Sequence, residues 1–273
     1  MPHSGRPDAR FVYLDHADDD GRPLPLALAH RGFAPEGDEN TMAAFERAVA
    51  LGYRYLEIDV RASADGVVMV FHDELLDRVC DAAGPLADRT QEELGSVLIR
   101  GVEPIPTLED VLTRWPAMKL NIDIKDDASV EPFVELVERL GAHDRVLVAS
   151  FSDRRRLRVL KLLTRPVASS AGRVWSALLW LLSPLGQTRR LARLARVHCL
   201  QVPARHAGVA VVTERFVRQC RKAGLPLHVW TINDAESMDR LLSLGGGVDG
   251  LVSDRADRLA TAMHRRGQWP QNS

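Results

Sequence analysis

The chain has 273 residues, 45% of them apolar, and its 36 Lys and Arg against 37 Asp and Glu leave a formal net charge of −1. That apolar share suffices for a packed core and excludes disorder throughout the chain. The balanced charge and an aromatic content of 5% exclude a broadly basic nucleic-acid surface and a stacking platform for single strands. Cys80, Cys199 and Cys220 lie far apart with no CxxC pair. They point to a reducing compartment, not to a thiolate zinc site or a disulfide framework. The N-terminus lacks a secretory apolar run, and the longest apolar stretch, 174–185, is shorter than the ~20 residues of a bilayer span. A cytoplasmic protein is expected.

Residues 1–24 read as an N-terminal extension, polar and punctuated by Pro and Gly. One apolar cluster in it, Phe11-Val12-Tyr13-Leu14, is expected to pack a short segment against the domain. The acidic run 15–20 reads as a solvated loop, because its spacing fits no EF-hand. From residue 26, short β-rich runs appear at 26–30, 55–60, 119–124, 146–151, 167–170, 198–202, 227–232 and 250–253. Between them lie stretches with helical spacing at 41–51, 130–140, 154–163, 213–223, 235–244 and 255–265. Gly52, Gly141, Gly224 and Gly245 stand where helix C-caps belong. Eight strand–helix repeats over 25–266, before a short tail at 267–273, predict an α/β fold of the (β/α)8 TIM barrel type. A doubly wound open sheet is the alternative, but no GxGxxG follows the first run. After strand two a long excursion begins with Asp65-Gly66, a two-residue turn signal, and an apolar run at 67–71. It predicts a small hairpin-containing insertion.

Barrel active sites form at the C-terminal ends of the strands, so the polar residues closing each run carry the functional reading. Run one ends in His30-Arg31, and run two carries Glu57 and Asp59 two apart, on one side of the sheet. The hairpin delivers His72-Asp73, and run three carries Asn121, Asp123 and Lys125. Each alone has a structural explanation. Three carboxylates converging inside a barrel do not, because burying like charges together is costly without a cation. All-oxygen ligation by Glu57, Asp59 and Asp123 suits Mg2+ or Ca2+ better than zinc. Around such a metal, Arg31 and Lys125 would hold a phosphate. His30 and His72, arriving from different segments, would serve as base and acid in phosphodiester cleavage.

These motifs resemble the glycerophosphodiester phosphodiesterase family. The likeness rests on Ala29-His30-Arg31-Gly32, Glu39-Asn40-Thr41, Glu57-Ile58-Asp59-Val60, Asp65-Gly66 and His72-Asp73. It continues through Asn121-Ile122-Asp123-Ile124-Lys125, Val229-Trp230-Thr231-Ile232-Asn233 and Val248-Asp249-Gly250-Leu251, in the same order. The resemblance implies a metal-dependent barrel enzyme releasing glycerol 3-phosphate and an alcohol from a small glycerophosphodiester. It assigns His30 and His72 to acid–base chemistry, Glu57 and Asp59 to the metal, Arg31 and Lys125 to the phosphate, and Trp230 to an aromatic wall beside the glycerol. Glu39, Asn40, Asp73 and Asn233 fall in the same motifs as supporting residues.

Three departures stand out. Asp123 occupies a position that is commonly Glu, Asp38 replaces a Pro and is expected to cap the first helix, and the Pro that usually follows the last strand is replaced in Ser253-Asp254-Arg255-Ala256; only the first of these bears on the chemistry. Outside the motifs, Gln201 closes run six and is a candidate for substrate contact. The segment 174–185, followed by Arg189, Arg190, Arg193 and Arg196, reads as an outer barrel helix, with a weak membrane-surface contact as its alternative. His143, His198, His206 and His228 read as structural, and no obligate protein partner is indicated. Two other functional readings are a phosphodiesterase acting on lysophospholipid or sphingolipid headgroups and a barrel that binds phosphodiesters without turnover.

Overall fold

The computed structural model describes residues 11–17 and 21–269. Residues 1–10 of the expected extension, 18–20 of the acidic run and 270–273 of the tail lie outside the described residues. The fold rests on eight strands, β1 (Leu26–His30), β2 (Tyr55–Ala62), β3 (Lys119–Ile124), β4 (Val146–Ala149), β5 (Ala168–Ser169), β6 (Leu200–Pro203), β7 (Leu227–Trp230) and β8 (Gly250–Ser253). All pair in parallel in the order β5-β4-β3-β2-β1-β8-β7-β6. The two outer strands meet through a parallel bridge between Ser170 and Cys199. There the His198 N–H donates to Ser169 O at 2.8 Å. The sheet thus curls round and closes, as the alternation of runs predicts.

Successive strand residues face opposite sides of a sheet. One set, including Ala29, Leu56, Ile58, Leu120, Ile122 and Val148, is buried in the main core between strands and helices. The other, including Leu26, Leu28, Tyr55, Leu147, Ala168, Cys199 and Val252, fills the barrel interior. Burial on both faces explains why the runs are nearly continuously apolar. Phe11 and Tyr13 join the interior cluster, so the expected packing of the leader is observed. The Tyr55 hydroxyl donates to Tyr13 O at 3.0 Å, and Lys119 Nζ donates to Val12 O at 2.5 Å. Tyr55 and Lys119 begin β2 and β3, so the leader closes the N-terminal end of the barrel.

The seam between β5 and β6 has a polar clamp. Arg156, from the helix Asp153–Leu162, is fully buried. Its guanidinium donates to Ser169 Oγ at 3.1 Å, Arg196 O at 3.0 Å and Ala195 O at 2.7 Å.

The excursion after β2 folds back as expected, with Val68–Val70 pairing antiparallel to β2 in the register Val60–Val70 and Ala62–Val68. Its turn is longer than the two residues suggested by Asp65-Gly66. Ser63 N–H donates to Val67 O at 3.0 Å, leaving Asp65-Gly66 inside the loop. The insertion has its own apolar cluster around Met69, Phe71, Leu76, Leu86 and Ile99.

Gly141, Gly224 and Gly52 are the left-handed residues expected at helix ends, with the Gly52 and Tyr53 N–H groups donating to Val49 O and Ala48 O, whereas Gly245 lies in a short turn beyond a helix capped by Leu242. Asp38 does not cap the first helix. Thr41 stands at the extended N-cap itself and accepts the Ala44 N–H at 3.1 Å, while Asp38, three residues earlier, pairs with Arg47. Among the described residues, no helix is long and apolar enough to cross a membrane.

Candidate active site

The C-terminal ends of β1, β2, β3 and β8 and the hairpin insertion meet around one polar cluster. The turn after β1 is built for close approach. Gly32 has φ +85°, and a Cβ there would lie 2.8 Å from the Ala44 backbone. Its neighbour Arg31 is also left-handed, at φ +54°. Arg31 Nη1 donates to Glu39 Oε1 at 2.8 Å, and its Nε lies 2.9 Å from Asp59 Oδ2. Asn40 Nδ2 donates to the same Asp59 oxygen at 3.1 Å.

Register places Asp59 beside Asp123 and Glu57 beside Asn121 on adjacent strands. Lys125 Nζ lies 2.7 Å from Asp59 Oδ1 and 2.6 Å from Asp123 Oδ2. Burial works against the Asp59 anion, yet Lys125 and Arg31 hold its pKa at about 2. Glu57 goes the other way, raised to about 7 by burial and then by Asp59. Burial raises Asp123 too. Environment thus splits neighbouring carboxyls into one firmly ionised and two that resist ionisation.

Both histidines are anchored at Nδ1 by a carboxylate. His30 Nδ1 lies 2.5 Å from Asp254 Oδ1, with its Nε2 3.6 Å from Glu57 Oε2. His72 Nδ1 lies 2.5 Å from Asp73 Oδ1. Burial alone would lower the His30 pKa, but Glu57 and the Asp254 hydrogen bond outweigh it and raise it. Asn233 supports Asp254 from two sides, Nδ2 donating to Oδ2 at 2.7 Å and Oδ1 accepting the Asp254 N–H at 2.9 Å.

His30, Arg31, Glu39, Asn40, Glu57, Asp59, His72, Asp73, Asp123, Lys125 and Asn233 therefore lie in or beside this cluster, whereas Asp65-Gly66 stays in the hairpin loop and Asp249 accepts the Leu227 N–H at the opposite end of the barrel. Trp230 packs edge-on to Phe151 with ring centroids 6.0 Å apart. Gln201 of β6 faces the barrel interior, with its Nε2 3.4 Å from His228 Nδ1. Three residues escaped the sequence reading. Asp254 sits in the segment whose missing Pro was taken as remote from the chemistry. Arg78 of the insertion donates to both Asp73 and Glu39, at 2.5 and 2.6 Å. Phe151 lies at the end of β4, its ring centroid 5.5 Å from Lys125 Nζ. Asp254 had a signal, as a polar residue directly after a strand; Arg78 had none.

The sequence pattern of the glycerophosphoryl diester phosphodiesterase family matches residues 30–258, from His30 at the end of β1 into the last helix. The chain belongs to that family. Its fold is that of the family's solved members, and it is a phosphoric diester hydrolase. The chain is 43% identical to Probable glycerophosphodiester phosphodiesterase 2 of Mycobacterium tuberculosis, over 98% of this chain and 99% of that one. It is 29% identical to a glycerophosphodiester phosphodiesterase of Caldanaerobacter subterraneus, over 89% of this chain and 99% of that one. Among solved structures, it resembles an Oleispira antarctica phosphodiesterase in complex with the product sn-glycerol-3-phosphate. That match has a TM-score of 0.72 and 25% identity, and covers 88% of this chain and 97% of that one.

Members of the family are in general divalent-cation dependent, and the donor set here fits such an ion. Glu57, Asp59 and Asp123 are hard oxygen donors on adjacent strands, and two buried oxygens, Glu57 Oε2 and Asp123 Oδ1, have no hydrogen-bond partner. Among the described residues, no three such side chains form a closed ligand cage, because the Lys125 ammonium stands between Asp59 and Asp123.

Proposed function

We propose that the chain is a metal-dependent glycerophosphodiester phosphodiesterase that releases sn-glycerol 3-phosphate and an alcohol by acid–base catalysis through His30 and His72. The observation carrying this reading is the pair of imidazoles, each fixed at Nδ1 by its own carboxylate, beside Arg31 and Lys125. A carboxylate at Nδ1 sets the tautomer and leaves Nε2 as the working atom. One Nε2 takes the proton of the attacking hydroxyl, from water or from the glycerol 2-position. The other delivers a proton to the departing alkoxide, a poor leaving group without it. Arg31 and Lys125 hold the phosphoryl oxygens and offset the charge that builds on them. Glu57, Asp59 and Asp123 would hold Mg2+ or Ca2+, which when bound supplies Lewis-acid polarisation of a phosphoryl oxygen. Trp230 and Phe151 form an apolar wall for the glycerol.

The test is glycerol 3-phosphate release from glycerophosphocholine and glycerophosphoethanolamine by protein stripped with EDTA and resupplied with each ion. Stripping is expected to abolish release and one of the two ions to restore it. His30→Ala and His72→Ala should each lower kcat by about 100-fold or more at unchanged Tm. Full activity in EDTA would refute the metal, and a fully active His30→Ala variant would refute the acid–base pair.

A further inference from the structure

The helix Arg173–Leu182 follows β5 and wears its apolar stripe outward. Val174, Leu178 and Leu181, with Leu185 in the turn after it, are spaced to share one face. All four are exposed, between 37% and 68%. Leu179 is the helix's buried residue. An ordinary barrel helix turns its apolar stripe toward the sheet; Leu179, Trp175 and Trp180 do so here, packed on the main core, which leaves the outward row unexplained. Contiguous exposed apolar surface marks an interaction site.

Charge identifies the occupant. Residues 154–213 contain twelve Lys and Arg and not one Asp or Glu, in a chain whose net charge is −1. Arg173, Arg189, Arg190 and Arg193 surround the stripe in sequence and are exposed. Among the described residues none of them pairs with a carboxylate, whereas Arg139, Arg158, Arg218 and Arg265 elsewhere on the surface all do. Two half-buried tryptophans, Trp175 and Trp180, belong to the same helix. An outward apolar face, unpaired arginines and tryptophans at its edge are the chemistry of an element lying in the headgroup region of an anionic bilayer.

The element is tied to the catalytic end of the barrel. The Asp153 carboxylate, after β4, accepts the N–H groups of Gly172 at 2.9 Å and Val174 at 3.1 Å. The Arg173 guanidinium carbon lies 4.7 Å from the centroid of the Phe151 ring. Trp180 Nε1 donates to Val211 O, after β6, at 3.0 Å. We infer that the outward face of residues 173–185, with the arginines that follow it, docks the enzyme on an anionic lipid surface, its Arg173 end nearest the active-site mouth.

The experiment is co-sedimentation of the full chain, without substrate, with vesicles of phosphatidylcholine alone or mixed with phosphatidylglycerol. Partition onto the anionic vesicles should be at least about tenfold higher and should fall in high salt. Arg190→Ala with Arg193→Ala should weaken it by about fivefold per arginine, and Leu181→Asp with Leu185→Asp should abolish it. Neither pair belongs to the catalytic machinery, so turnover of soluble glycerophosphocholine should stay at the wild-type rate, which also reports folding. No sedimentation, equal sedimentation on both vesicle types, or indifference to the variants would overturn the inference. So would a dimer by light scattering that the leucine variants dissolve, since the stripe would then belong to a second copy. Because binding is read without turnover, its failure and failure of the glycerophosphodiester reading are separate results.

Discussion

Asp254→Asn tests whether His30 needs a carboxylate behind it. The substitution keeps the shape and the backbone N–H contact to Asn233 Oδ1 but removes the charge 2.5 Å from His30 Nδ1, and its one amide oxygen can accept from only one of His30 and Asn233 Nδ2. A charge-assisted hydrogen bond contributes roughly 1.5–3 kcal/mol. The Asp254 side chain is 51% exposed, so solvent screening places the loss at the lower end, about 1.5–2 kcal/mol, or roughly 10–30-fold in rate. The loss should fall on kcat, with KM nearly unchanged, because Asp254 touches His30 and not the phosphate contacts Arg31 and Lys125. Asn233→Ala should give a smaller loss in the same direction, and the double variant should be less impaired than the product of the two, since both act through one hydrogen-bonded unit. The assay is steady-state release of glycerol 3-phosphate from glycerophosphocholine, with Tm measured alongside. An unchanged kcat for Asp254→Asn, or a loss explained by lowered Tm, would refute a positioning role.

Gly32→Ala should lower stability by about 2–4 kcal/mol, because φ +85° and a Cβ 2.8 Å from the Ala44 backbone leave no room; a shift in Tm below that of a surface Gly→Ala control would count against it. Arg156→Ala should cost about 3–5 kcal/mol in urea unfolding by stripping donors from two carbonyls and Ser169 at the β5–β6 seam. Arg156→Met keeps the packing but not the donors, so it should cost less than Ala yet still destabilise, and a Met variant as stable as wild type would refute the hydrogen-bonded clamp. Burial lowers His228, and burial with Arg156 and Arg196 lowers His198, from 6.5 to about 4. The unfolded chain therefore takes up these protons first as pH falls. Their contribution is intact above about pH 6.5 and is lost between there and pH 4, by on the order of 2–3 kcal/mol per residue. Urea unfolding at pH 7 and pH 4.5 measures it, and a His228→Gln variant with an unchanged pH slope would refute it.

The barrel was legible because each strand is buried on both sides and so writes an apolar run, with its charged exceptions at inward positions such as Glu57 and Asp123. The helix after β4 and that after β6 were bounded well for the same reason, by the buried stripes and by Gly224. Local chemistry misled where two candidates competed: Thr41 takes the cap that Asp38 was expected to fill, and the Asp65-Gly66 turn is widened by the Ser63–Val67 hydrogen bond. Asp254 was on the page as a residue after the last strand. Its partnership with His30, 224 residues earlier, exists only because β8 pairs with β1. Arg78 depends likewise on how the insertion folds back over Glu39, which no spacing reveals. Phe151 looked like the end of a strand, and its role emerges from what stands across from it, Lys125, Trp230 and Arg173.

The Phe11–Tyr13 closure of the barrel has a consequence for traffic through the enzyme. With that end stopped, one opening admits the diester and lets both products out. On the glycerophosphodiester reading, the glycerol end enters first and the esterified alcohol trails outward. The inner chamber then judges only the half common to all such diesters. Choice among alcohols falls to the threshold beyond the Trp230–Phe151 wall, where Arg173 stands over the Phe151 ring, and substitutions there should reorder a substrate panel while those deeper in the barrel slow every member alike.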